Sequence, residues 1–214
     1  MPTAAEPQTI ELADGTAIVV RAVRRRDKSA IVEAFERLTP ESRYRRFFAP
    51  LTRLTDRDLA YLTEVDHHDH EALVAFVAES GEPLGAARFV RTDDPGEAEF
   101  AVAVVDHWHR HGVGTALLDR LIERAREEGI ERLVALVMDD NAEALEVAQH
   151  LAPHADPPRR SASGHRELII DLPGPEEPLG ASRLGRLLRA AAGGVVVNPW
   201  PVISARIAAL RSRN

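Results

Sequence analysis

The chain has no cysteine among its 214 residues. A disulfide framework, a thiolate nucleophile and a thiolate metal site are therefore excluded. Lysine is nearly absent: Lys28 stands alone, so arginine makes up the other 26 of the 27 basic residues. With abundant alanine, arginine and proline, this bias points to a GC-rich genome. No apolar run approaches the roughly 20 residues that a bilayer span needs. None near the N-terminus follows a basic cluster, as a signal peptide would require. The expected location is the cytoplasm. Positive charge is also scarce, with a formal net charge of −7. Arg183, Arg186, Arg189, Arg206, Arg211 and Arg213 against Glu176 and Glu177 give the segment after Pro173 a net +4, which leaves −11 on residues 1–173. So acidic a body lacks the basic face of a nucleic-acid binder. It suits a cationic substrate, and it also simply maintains solubility.

The length fits one domain, residues 1–173, plus an appendage. Thr9 to Val23 alternates around Ala13-Asp14-Gly15 and reads as two short strands. Lys28 to Leu38 places Ile31, Ala34, Phe35 and Leu38 at helical spacing. Thr39-Pro40 opens a second helix as N-cap and first turn. Thr55 with Asp58 makes a near capping box for a third. Ala72 to Ala78 and Ala86 to Arg91 read as strands around Ser80-Gly81-Glu82-Pro83, and Ala98 to Val105 as the next. Gly114 to Glu127 is an amphipathic helix closed by Gly129. Leu133 to Met138, Asn141 to Leu151 and Glu167 to Leu172 follow as strand, helix and strand. The order predicts a mixed α/β (α+β) sheet rather than a doubly wound one. Residues 174–214 read as a proline- and glycine-rich linker and a basic amphipathic helical tail. That tail is expected to dock on its own domain or on an oligomer partner.

The most informative stretch is His109-Arg110-His111-Gly112-Val113-Gly114-Thr115. It follows an apolar strand and opens a helix. Glycine lets the backbone turn tightly and approach a ligand. A helix start offers unpaired N–H groups and the positive end of a dipole. Together these make an anion seat. A Walker loop would need Gly-Lys-Ser/Thr, but Thr115 and Ala116 follow Gly114. A dinucleotide fingerprint would need a third glycine where Leu117 stands. The pyrophosphate of coenzyme A is the remaining candidate, held by backbone amides without a metal.

At these residues the chain resembles the GNAT acetyltransferase superfamily, whose signature is Gln/Arg-x-x-Gly-x-Gly/Ala. His109 departs from the first position but is still expected to donate to a phosphate, and Arg110 adds a fixed charge. The resemblance implies a mixed, mostly antiparallel sheet flanked by helices, with acetyl-CoA as co-substrate. It implies a cofactor contact at Asn141, and backbone contacts to the thioester and pantetheine arm near Val104 and Val105. Leu38 to Phe48 and Leu62 to Asp66 look like the acetyltransferase domain of bacterial protein lysine acetyltransferases.

Acyl transfer to an amine needs a base, since a lysine ammonium titrates near pH 10.4. Glu99 is the candidate, at a strand position where the superfamily often places a glutamate. Alternation puts Ala101, Ala103 and Val105 on its face, surroundings expected to raise its pKa. Glu97 is the fallback. The general-acid tyrosine of many relatives has no counterpart, which leaves His154 or water. His67, His68, Asp69, His70 and Glu71 read as solvated loop residues rather than a metal site. Asp66 is a candidate for the substrate entrance. Tyr44, Phe47 and Phe48 read as core first and substrate wall second. Arg43, Arg45 and Arg46 are expected to pair with acidic neighbours. Two alternatives stay open: transfer to a small amine or amino acid, and a non-catalytic domain that binds coenzyme A.

Overall fold

The computed structural model describes residues 4–47, 50–138, 159–160 and 165–172. Among these residues eight strands form one sheet: β1 (Gln8–Glu11), β2 (Ala17–Ala22), β3 (His70–Val77), β4 (Pro83–Arg91), β5 (Glu97–Val104), β6 (Arg132–Met138), β7 (Arg159–Arg160) and β8 (His165–Asp171). Their spatial order is β1-β2-β3-β4-β5-β6-β8-β7. Among the described residues, β5 and β6 are the one parallel pair; the rest are antiparallel. The mixed, mostly antiparallel sheet expected from the sequence is present. The two-residue strand β7 had no sequence signal. The helix read over Asn141 to Leu151 and the tail after Pro173 lie outside the described residues.

Among the described residues, four helices flank the sheet: α1 (Lys28–Glu36), α2 (Pro40–Phe47), α3 (Asp56–Thr63) and α4 (Val113–Glu127). Thr55 caps α3 as expected: its hydroxyl accepts from the Asp58 N–H at 3.2 Å, and its own N–H donates to Asp58 Oδ2 at 2.9 Å. The apolar stripe of α4, Leu117, Leu118, Leu121, Ile122 and Ala125, is fully buried against Leu73, Phe89, Ala98 and Phe100. Each such leucine contributes about 1.5–3 kcal/mol of transfer free energy. Along β5 the even-numbered side chains Ala98, Phe100, Val102 and Val104 join this core. The odd-numbered ones, with Glu99, face the opposite side by strand alternation. There α1, α2 and α3 cover the sheet around an apolar cavity of about 60 Å³, lined by Phe35, Leu38, Phe47, Ala86 and Ala103 among others.

Strand β4 starts three residues earlier than its sequence pattern suggested. Pro83 takes the first position, where a missing N–H costs no ladder bond. A register shift between Ala75 and Phe76 accommodates the early start. Gly85 packs directly on β5: a Cβ there would lie 2.4 Å from the Ala103 carbonyl oxygen. Only glycine allows that approach, which brings β4 tight against the C-terminal half of β5.

Candidate active site

Strands β5 and β6 are in register only from Glu97 opposite Arg132 to Glu99 opposite Val134. Both strands continue, β5 to Val104 and β6 to Met138. A gap therefore opens between them past Glu99. Two bonds to the β4 side set the phase of β5. The Thr92 N–H donates to Glu97 O at 2.9 Å, and the Val105 N–H donates to Leu84 O at 2.8 Å. Odd-numbered residues of β5 thus spend their backbone groups on β4. The even-numbered Phe100, Val102 and Val104 turn theirs toward the gap.

This corrects one expectation. The strand ends at Val104, and the Val105 N–H is already committed to Leu84. The amide donors that face the gap are those of Val102 and Val104. Val102 was missed because its side chain reads only as core, and backbone phase needs the pairing partner to be known.

The glycine loop closes the end of the gap. Val105 to His109 forms a tight 3₁₀ turn over Asp106–Trp108, with Trp108 N–H on Val105 O and His109 N–H on Asp106 O. The His109 Nε2–H donates to Val104 O at 2.9 Å. His109 was expected to donate to a phosphate. That ring N–H is instead spent on latching the loop to the strand, so the charge in the loop comes from Arg110. Arg110 sits at φ +64°, a left-handed conformation costing an arginine about 1–2 kcal/mol. Such strain accumulates at functional loops. His111 folds its Nδ1 onto the His109 carbonyl at 2.9 Å.

Gly112 is the N-cap of α4, at φ +94°. The first intrahelical bond runs from the Ala116 N–H to Gly112 O at 3.0 Å. The N–H groups of Val113, Gly114 and Thr115 therefore precede the ladder, at the positive end of a 15-residue helix. A Cβ on Gly112 would meet only Leu12 Cδ2, at an ordinary 3.6 Å, so the constraint is conformational rather than steric. We expect Gly112→Ala to cost about 1–2 kcal/mol of stability and to weaken coenzyme A binding about tenfold, because the first-turn amides shift. Thermal unfolding and calorimetric titration with coenzyme A check both; unchanged affinity would rule this loop out as the phosphate seat.

Glu99 lies in the interior of the sheet and is 9% exposed, not a solvent-facing edge residue. Its face is the one under α1, α2 and α3, opposite the α4 core. Glu97, the fallback, is tied up at the strand start: its carboxylate accepts from Thr92 Oγ1 at 3.3 Å and lies 3.6 Å from Arg132 Nε. Asn141 and His154 lie outside the described residues.

The His67 to Glu71 cluster divides: His68 and Asp69 are exposed as expected, whereas His67 and His70 are half-buried and Glu71 is fully buried. No group of three or more metal-ligating side chains converges among the described residues. His67 Nδ1 bonds Glu71 Oε1 at 2.7 Å, His68 pairs with Glu128, and Asp69 pairs with Arg91 at 2.8 Å. His70 is half-buried and accepts from Arg88 NH1 at 3.1 Å through Nε2. Arg88 also donates to Leu62 O at 3.1 Å and stacks over Tyr61. Burial, then the Arg88 charge, pushes the His70 imidazole down to about 3. An unfolded His70 takes up a proton near pH 6.5, but the folded one does not until about pH 3. Its contribution to stability is thus full above pH 6.5 and is lost as pH falls toward 3, at up to about 1.4 kcal/mol per unit. His70→Gln keeps an acceptor for Arg88 and removes the titration. We expect urea midpoints of that variant to fall less steeply between pH 6.5 and 4 than those of the parent.

Other expected residues divide clearly. Asp66 lines a cleft with Arg24, Glu64 and His67, and its carboxylate accepts the His68 and His70 N–H groups at 2.9 Å. Phe47 is core, edge-on to Phe35 at 5.6 Å, while Tyr44 is exposed. Phe48 is outside the described residues. Arg43 pairs with no acid among the described residues: it donates to the Phe35 and Glu36 carbonyls at the end of α1, at 3.1 and 2.8 Å. There it completes the C-terminal dipole.

A sheet opened by two diverging strands, an amide-rich helix start at the end of the gap and a buried glutamate beside it define an acyl-transfer scaffold for an extended, phosphate-bearing donor. Residues 31–152 match the family model described as Acetyltransferase (GNAT) family, and the chain belongs to that family. It is an acetyltransferase whose co-substrate is acetyl-CoA. An acetyltransferase of Pseudomonas aeruginosa is 28% identical over 127 residues, 58% of this chain and 68% of that protein. The acetyltransferase Pat of Mycolicibacterium smegmatis is 30% identical over 146 residues, 68% of this chain. The match spans only 44% of that relative's length. Among solved structures, the GNAT domain of Streptomyces lividans PAT superposes with a TM-score of 0.68 at 31% identity, covering 78% of this chain and 97% of that domain. No helix among the described residues is long and apolar enough to cross a membrane.

Proposed function

We propose that this protein acetylates the side-chain amine of a protein lysine, with Glu99 as general base. The observation that carries the base assignment is the placement of Glu99. It is buried on the helix-covered face of β5, where that strand parts from β6. The resemblance of Leu38 to Phe48 to protein lysine acetyltransferases supports the acceptor class.

Acetyl-CoA supplies the acetyl group as an activated thioester. The first-turn amides of α4, with Arg110, hold its pyrophosphate. The Val102 and Val104 N–H groups stand where they can orient the arm and stabilise negative charge on the acyl oxygen. Glu99 takes one proton from the incoming ammonium, directly or through one water. The neutral amine then attacks the thioester carbonyl, and the C–S bond breaks as the C–N bond forms. Coenzyme A leaves as the thiol, with the amine's second proton passed to it through water. The sheet and helices hold both reactants, which removes most of the entropic part of the barrier.

The test uses purified protein, labelled acetyl-CoA and two acceptor pools: a lysate of its own source and a panel of small amines and amino acids. The expected product is acetyl-lysine in a small set of proteins. Label confined to small amines would overturn the protein-lysine assignment and leave the acetyltransferase class intact. Self-labelling offers a clean control, because only Lys28 and the N-terminus could accept.

A further inference from the structure

Helix α2 has only eight residues, a length that is marginal alone in water. It is held at its C-terminal end by Phe47 and along one side by Arg43. Its N-terminal end is held from a distance. Asp106, two residues past the end of β5 and three before His109, reaches across to it. Asp106 Oδ2 accepts the Thr39 N–H at 2.9 Å. Oδ1 accepts the Thr39 hydroxyl at 3.0 Å and the Ser42 hydroxyl at 2.8 Å. Thr39 in turn caps the helix, accepting the Ser42 N–H at 3.2 Å. A carboxylate is thus placed against a helix N-terminus, the favourable end for negative charge. Burial alone would raise the Asp106 carboxyl; the Thr39 and Ser42 donors outweigh it and hold it below the usual range.

A second tie runs parallel. Glu82, in the β3–β4 turn, accepts from Trp108 Nε1 at 3.4 Å and pairs with Arg37 at the end of α1. The turn that carries Asp106 and Trp108 is the same turn whose His109 latches onto Val104. The corner between α1 and α2 is therefore bolted to the root of the glycine loop.

We propose that Asp106 is a positioning residue that couples occupancy of the glycine loop to the docking of α2 over the acceptor side of the sheet. This rests on the coenzyme A reading of the loop. A ligand that orders the loop fixes the Val105–His109 turn, which fixes the Asp106 carboxylate and so the first turn of α2. By linkage, a docked α2 favours the ordered loop by the same factor.

Hydrogen exchange of the full chain, with and without coenzyme A, tests this. In the parent protein, coenzyme A should slow exchange of the α2 amides, Ser42 to Phe47, about fivefold or more, the lower end of ordinary coupling. Asp106→Ala should still bind coenzyme A, but α2 exchange should no longer respond to it. Acceptor KM should rise about tenfold with kcat changed less than about threefold, because the helix that forms the wall is loosened while the base is untouched. Asp106→Asn keeps an acceptor for the Thr39 N–H and should restore part of the response, which a general packing defect would not do. Should Asp106→Ala fail to fold, Ser42→Ala removes one bond to the same carboxylate and should reduce the response in the same direction. Coenzyme A binding without α2 protection in the parent, or full protection in Asp106→Ala, overturns the coupling alone. Absence of coenzyme A binding in the parent overturns the loop assignment and the coupling with it.

Discussion

Replacing Glu99 by glutamine is expected to lower kcat/KM for acetyl transfer about 100-fold or more, while the affinity for acetyl-CoA stays within about threefold. Glutamine keeps the volume and one acceptor oxygen, so the buried site on β5 is not emptied. What it removes is the capacity to accept a proton. The loop amides, Arg110 and the Val102 and Val104 N–H groups all lie on other residues, so donor binding should persist. Steady-state kinetics with calorimetric titration separates the two effects. A second prediction belongs to the same variant: the rate should recover as pH rises toward the lysine pKa, because acceptor amine then loses its proton to solvent. A Glu99→Gln protein with parental kcat/KM would sink the base assignment. It would shift attention to solvent-mediated deprotonation, since Glu97 is already held by Thr92 and Arg132.

Much of this site was legible in the sequence because it depends on local rules. The Gly112-x-Gly114 start of α4 announces a left-handed cap and open amides, and the structure puts Gly112 at φ +94°. Thr55 and Asp58 form their box within four residues. The stripe on α4 and the alternation on β5 are periodic, so burial followed directly. The features that escaped are those fixed by partners far away in the chain. The gap beside β5 exists because the β5–β6 register stops at Glu99 and Val134, and no local pattern encodes where two parallel strands part. That register leaves the Val102 amide facing the gap, while the bond to Leu84 turns the Val105 amide away from it. Asp106 carries no local signal, because its partners Thr39 and Ser42 are more than 60 positions earlier.

The histidine-rich segment shows the same limit in sharper form. Five consecutive polar residues after Asp66 suggested a solvated loop. His67 breaks the chain direction at φ +60°, and the start of β3 then sends alternate side chains to opposite faces. His70 goes under α3 to meet Arg88, and Glu71 goes under α4 to meet Arg124. A sequence reading sees polar residues in a row. Once a strand is imposed, His70 and Glu71 make two separate contacts, one half-buried and one fully buried, and each then depends on a partner of opposite or complementary character.

Arg124→Met is expected to be among the most destabilising single changes in the described residues, at about 3–5 kcal/mol. Glu71 is fully buried, and Arg124 Nε meets its Oε2 at 3.0 Å. Arg124 also donates to His67 O at 3.2 Å and to Glu128 Oε1 at 2.7 Å, and it pairs with Glu127. Burial disfavours its charge, yet the carboxylates of Glu127, Glu71 and Glu128 outweigh that and raise its pKa above the usual value. Methionine fills the space of the aliphatic stem but leaves the Glu71 carboxylate, among the described residues, with only His67 Nδ1, at 2.7 Å, and the Ala72 N–H, at 2.9 Å. A domain with about 5–15 kcal/mol of total stability has little room for such a loss. The double variant Glu71→Gln/Arg124→Met removes the stranded charge as well and should recover most of the deficit, because an apolar or neutral replacement of a buried pair is often close to neutral. Urea denaturation of the parent, both single variants and the double variant gives the coupling directly. A coupling below about 1 kcal/mol would mean that water reaches Glu71 and that the α4–β3 clasp is held by packing of Leu117, Leu121 and Leu73 rather than by charge.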